Sequence, residues 1–110
     1  MTQTPEPPYF AVIFTNRRAG WGEQAVDAAY DAAAARMEEL AQTIPGYLGI
    51  ESSRSGDGTG ITVSYWHTEE SIAEWRGHPE HLEVQASGRR DWYEWYELRV
   101  GRVERARSYS

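Results

Sequence analysis

The sequence predicts an α+β fold of ferredoxin-like order, β-α-β-β-α-β, with an antiparallel sheet. Three observations carry that prediction. Aromatic and β-branched runs open and close the folded part of the chain. An Ala-rich stretch with apolar residues every three or four positions follows the first run. A Gly-rich cluster, Gly56-Asp57-Gly58-Thr59-Gly60, separates two further apolar runs. At 110 residues the chain makes about one domain.

Residues 1–8 (MTQTPEPP) are polar and Pro-rich and read as a disordered lead-in to a single domain over 9–110. Tyr9–Arg17 reads as the first strand, with Phe10, Val12 and Phe14 on one face and Tyr9, Ala11 and Ile13 on the other. Both sets are apolar, so both faces are expected to be buried. From Gly22 to Thr43 the positions of Val26, Ala29, Tyr30, Ala33, Met37 and Leu40 fit one helix face. Pro45-Gly46 stops that helix.

Tyr47–Ser55 and Gly60–His67 read as a hairpin around the Gly-rich cluster. Thr68 is placed to cap a short helix through Arg76, with Glu69 and Glu70 in its first turn. Gly77-His78-Pro79 interrupts, and Pro79 suits the first turn of a second helix, expected to run to about Tyr93. The last strand is expected over Tyr96–Ala106. Its alternation slips between Val100 and Val103, which predicts a bulge near Gly101. The helices of one chain cover only one face of the sheet. The second apolar face therefore predicts a homodimer packed sheet to sheet.

The 11 cations against 17 carboxylates leave a net charge of −6, which argues against general nucleic-acid binding. All the cations are arginine, which reads as compositional bias. Residues 89–110 are basic and residues 19–88 acidic, so the tail is expected to pair with the middle, within or between subunits. With no cysteine there is no thiolate nucleophile and no Cys-ligated metal. No apolar run reaches the ~20 residues of a membrane span, and the stretch after Pro8 is too short for a signal peptide. The expected location is the cytoplasm.

The candidate chemistry is spread along the chain. His78 and His81 are three apart, one helix face if both are helical. Surface roles, a place in a ligand pocket, metal ligation and a capping role for His78 all remain open at that spacing. Trp66, Trp75, Trp92, Tyr93, Trp95 and Tyr96 exceed what a core of this size needs, and such walls suit a flat aromatic ligand. Asn16, ending the first strand, is a turn residue or a polar contact inside such a pocket.

The segments FAVIFTNRR, IPGYLGIES, GITVSYWHTEESIAEWRGHPEHLEVQ and GRRDWYEWYELRVGRVERA together resemble the antibiotic biosynthesis monooxygenase (ABM) family over about Tyr9–Tyr109. Trp66, Trp75, His78 and His81 are the moderately specific part. The resemblance implies a dimeric α+β barrel and a cofactor-independent monooxygenase. Such enzymes oxidise planar aromatics, polyketide or quinone precursors, with O2 as co-substrate and no metal. It further implies that Asn16, Trp66 and Arg76 or Arg89 serve the pocket, with His78 or His81 as base. Trp75, Gln85, Trp92 and Tyr96 complete the expected substrate-binding set. Haem-degrading relatives use an Asn, a Trp and an iron-ligating His. Asn16 and Trp66 match, but Gln85 stands at the His position and His81 lies one turn earlier, so haem is the alternative. A non-catalytic small-ligand dimer is the third reading.

Overall fold

A computed structural model of the chain describes residues 4–109. Its elements run β1 (Tyr9–Arg18), α1 (Gln24–Ala41), β2 (Tyr47–Arg54), β3 (Thr59–Trp66), α2 (Glu69–Arg76), α3 (Pro79–Ser87), a π-helical turn (Gly88–Trp92) and β4 (Tyr93–Val103). The four strands form one antiparallel sheet in the order β2-β3-β1-β4. This is the α+β, ferredoxin-like arrangement that the element order predicts. The lead-in expected over residues 1–8 lies partly outside the described residues. From Thr4 to Pro8 it forms no helix or strand, and the Thr4 hydroxyl donates to the Tyr9 hydroxyl oxygen.

The alternation in β1 decides the layering. Between the register shifts at Tyr47/Gly49 and Arg17/Arg18, even-numbered residues of the sheet face the helices, where Ala41, Ile44, Trp66 and Ile72 form the buried core with Phe10 and Val12 against it. The odd-numbered face carries Ile13, Ile61 and Val63, and Ile61 is 42% exposed. Thr68 caps α2 as expected, its Oγ1 accepting from the Ser71 N–H at 3.1 Å. Pro79 occupies the first turn of α3.

The C-terminal third differs from the sequence reading. The last helix ends at Ser87 and the strand begins at Tyr93, not Tyr96. Gly88, a weak point for a helix, opens the π-helical turn, and the aromatic run Tyr93–Tyr96 then follows its β preference. There is no bulge at Gly101, which pairs directly with Ala11. Leu98 and Val100 face the helices, while Val103 pairs with Tyr9 on the opposite face, so a two-sided apolar strand produces the broken alternation. The irregularity lies instead between Arg17 and Arg18. Within the chain, the tail arginines pair locally: Arg90 with Asp91, Arg99 with Glu97 and Arg102 with Glu104. No helix of the described residues is long and apolar enough to cross a membrane.

Candidate functional site

A cavity of about 640 Å³ lies between the even face of the sheet and the helices. That volume suits a drug-sized ligand. One wall is a run of rings. Tyr47 meets Trp66 edge-on at 5.4 Å, Trp66 stacks on Trp75 at 6.3 Å and 25°, and Trp75 packs against the His81 imidazole at 4.5 Å. Trp66 is fully buried, and its indole N–H donates to Ser64 Oγ at 2.9 Å. The ring run therefore starts in the core and ends at a titratable group. Burial pushes the His81 imidazole below its usual range, an effect partly offset by its contact with the Arg76 carbonyl. Its Nδ1 lies 3.4 Å from that carbonyl oxygen. With the proton on Nδ1, Nε2 is left as a lone-pair acceptor.

The polar end of the cavity is built by cross-strand register. Arg54, Gly60, Asn16 and Tyr96 lie in one row across β2, β3, β1 and β4. The Arg54 guanidinium reaches across that row. Its Nη1 donates to Asn16 Oδ1 at 2.9 Å and to the Gly58 carbonyl at 2.7 Å, and its Nη2 donates to the Tyr30 hydroxyl at 3.2 Å. The Tyr93 hydroxyl donates to the same Tyr30 oxygen at 3.1 Å. Burial, with Tyr30 beside it, pushes the Tyr93 phenol far above its usual range. Arg18, 2% exposed, lies 3.7 Å above the Tyr30 ring and donates to Asp27 Oδ1 at 3.1 Å. Phe14, Tyr93 and Tyr96 close this end with ring contacts of 5.3–6.0 Å.

A family model described as "Antibiotic biosynthesis monooxygenase" (ABM) matches residues 15–87. The chain belongs to the ABM family. It is 46% identical over 109 residues to the uncharacterized protein YqjZ of Bacillus subtilis (strain 168), which covers 99% of this chain and 91% of that protein. The fold is similar to that of SnoaB, a cofactor-independent oxygenase from Streptomyces nogalater, with a TM-score of 0.74. That match has 13% identity and covers 89% of this chain and 95% of that one. Rv0793 from Mycobacterium tuberculosis matches with a TM-score of 0.69 and 16% identity, covering 93% and 99%. At such identities the structural likeness is one of fold.

Of the residues the sequence singles out, this ABM chain brings Trp66, Trp75, Arg76, His81, Gln85, Trp92, Tyr93 and Tyr96 to the cavity wall, while Trp95 stands exposed away from it. Asn16 does not line it. It is fully buried beneath Arg54, its Oδ1 bonded and its Nδ2 without a partner. His78 is also absent from the wall. It caps α3, its Nδ1 accepting from the Glu80 N–H at 3.2 Å, because that position precedes Pro79. Arg89 stands exposed on the π-helical turn, away from the lining. Among the described residues no cluster of three or more His, Cys, Asp or Glu is able to hold a metal ion. Sequence reasoning missed Arg54 and the Tyr30 hydroxyl, and it read Tyr93 only as an aromatic wall. The available signal was parity: Arg54 shares its strand face with Ile50 and Ser52, so a cation points inward.

Proposed function

We propose that this ABM protein oxidises a planar aromatic, of the polyketide or quinone-precursor kind, with O2 and without an organic cofactor. The observation that carries the reading is a cavity of about 640 Å³ whose aromatic wall ends in His81. Neutral His81 takes a proton from an acidic ring CH2 or phenol O–H of the bound molecule. The resulting anion passes one electron to O2, and the two radicals combine to form a C–O bond. For a CH2 group, loss of water then leaves a carbonyl. One oxygen atom enters the product, the other leaves as water, and the substrate supplies both hydrogens. Trp75 and Trp92 hold the ring system, backed by the fully buried Trp66, and keep water out. The fold it shares with SnoaB supports the cofactor-free form of the reaction. The reading places the protein in the cytoplasm as a homodimer whose second copy covers the odd face around Ile61, a state that sedimentation at the mass of two chains checks.

Oxygen uptake tests the reaction. Dialysed, chelator-treated protein is expected to consume one O2 per anthrone, and His81→Asn to lose most of that rate. No uptake across anthrones and dihydroquinones sinks the reading. His81 also motivates a second reading, haem binding, since it is the one histidine on the cavity wall among the described residues. A haem titration with a Soret shift that disappears in His81→Ala would favour it.

A further inference from the structure

The polar row across the sheet holds more hydrogen-bond donors than acceptors. Arg54 has five N–H groups. Two on Nη1 go to Asn16 Oδ1 and the Gly58 carbonyl, and one on Nη2 goes to Tyr30. The second Nη2 hydrogen and the Nε hydrogen meet no acceptor among the described residues. Nε and Nη2 share one edge of the guanidinium, and such an edge can grip a carboxylate at two points. Tyr30 and Tyr93 share one hydrogen bond between two hydroxyls, which leaves one phenol proton over. Asn16, fully buried behind Arg54, holds the guanidinium from below and does not reach the cavity.

The charge is unbalanced in the same sense. Arg18 is paired with Asp27, but none of the ion pairs among the described residues involves Arg54. The carboxylates on the cavity wall, Asp31 and Glu38 of α1, are exposed and do not pair with it. Arg54 nevertheless lines the cavity. The backbone makes room for it: a Cβ on Gly60 would stand 2.8 Å from the Arg54 Cζ and Nη1. Only a residue without a side chain lets the guanidinium lie there.

We propose that Arg54, held over Gly60 by Asn16 and Tyr30, is an anion subsite that takes a carboxylate or phenolate oxygen on the edge of the bound aromatic. The subsite rests on reading the cavity as a pocket for a planar aromatic. It narrows the substrate class to ring systems with an acidic oxygen at one edge. A guanidinium is suited to this because its plane and donor edge are fixed, and the apolar walls strengthen its field.

The test measures quenching of tryptophan fluorescence in the full chain by anthraquinone-2-carboxylate and by its neutral 2-hydroxymethyl analogue. Wild type is expected to bind the carboxylate at least about tenfold tighter than the analogue. In Arg54→Gln and in Gly60→Ala the preference falls to about twofold or less. Gly60 has no left-handed backbone, so Gly60→Ala displaces the guanidinium and keeps the result readable if Arg54→Gln does not fold. A hydroxyanthraquinone, whose phenolate is coloured, separates the two sources. A preference in either arm that both variants abolish supports the subsite and says which oxygen it takes. Neutral binding with no preference for either anion, or a preference that survives both substitutions, overturns it. If no probe binds, the aromatic-pocket reading itself has failed, and the subsite with it.

Discussion

Gly46 joins α1 to β2 with a φ of 95°, and α2 rests directly on it. A Cβ there would stand 2.0 Å from Ser71 Oγ and 2.9 Å from Ser71 Cβ. Gly22 has nearly the same backbone, φ 92°, but nothing within 4 Å of an added Cβ. The pair separates two costs. Left-handed backbone costs an alanine about 1–2 kcal/mol at either position. At Gly46 the methyl group must also displace Ser71, which is buried. Its N–H donates to Thr68 Oγ1 at 3.1 Å, and the two hydroxyls are hydrogen-bonded at 2.9 Å. Losing that cap and that bond adds about 1 kcal/mol each. Gly46→Ala is therefore expected to cost about 2 kcal/mol more than Gly22→Ala. At roughly 4–8 °C per kcal/mol, that is a gap of about 8–16 °C in thermal midpoint. Circular dichroism melts of both variants measure it. The consequence reaches the cavity, because α2 carries Trp75 and Arg76. Equal melting temperatures would refute the argument, since they would mean that α2 is not seated on Gly46.

The lowered His81 imidazole has a sign that can be checked by proton NMR, where it should titrate below the usual 6.5. The folded chain then binds this proton less readily than the unfolded chain. Its contribution to stability is complete above about pH 6.5 and is lost as the pH falls into the lower, folded-state range. Oxygen uptake is expected to rise through that same range and stay flat above it, with His81→Asn losing about 10²–10⁴-fold; titration at or above 6.5 would contradict the burial argument. Arg18→Lys keeps the charge but is expected to destabilise by about 1–3 kcal/mol, since a buried ammonium loses the ring contact at 3.7 Å and leaves hydrogen bonds unmade. A urea midpoint equal to that of wild type would show that the stack contributes nothing.

What the sequence made legible was local. The two-faced pattern of β1, the stop at Pro45-Gly46, the Thr68 cap and the Pro79 start each depend on residues within a turn of one another. Trp66 and Trp75 were legible because strand parity and helix spacing set their directions, whereas His81 and Gln85 were placed by the family resemblance. The start of β4 was not, because Tyr93–Tyr96 fits the end of an amphipathic helix as well as a strand, and pairing with β1 decides between them. His78 and His81 have the same spacing whether one caps the helix or both face a pocket, and only the position of the helix start distinguishes the cases. The polar row was hidden for a different reason. Arg54 and Asn16 are 38 residues apart, and their meeting depends on the registers of two strand pairs at once.

The absence of lysine reads as bias at most positions, and the structure agrees where arginines are exposed and locally paired, since such pairs contribute little. At Arg18 and Arg54 the choice is physical. Arg18 lies flat over the Tyr30 ring while still donating to Asp27, and Arg54 donates to three partners while contacting the rings of Trp21 and Tyr30. An ammonium has three donors about a point and no plane to stack, so it can satisfy either set only in part. Tyr30 is the residue both guanidinia share, and it is also the residue through which α1 meets the sheet at this end of the cavity. The contacts that fix α1 against β1 and β2 are thus the same contacts that set the donors of the cavity's polar end. Substitutions there should change stability and ligand preference together, whereas substitutions along the Tyr47–Trp66–Trp75 wall should change stability and the placement of His81 together.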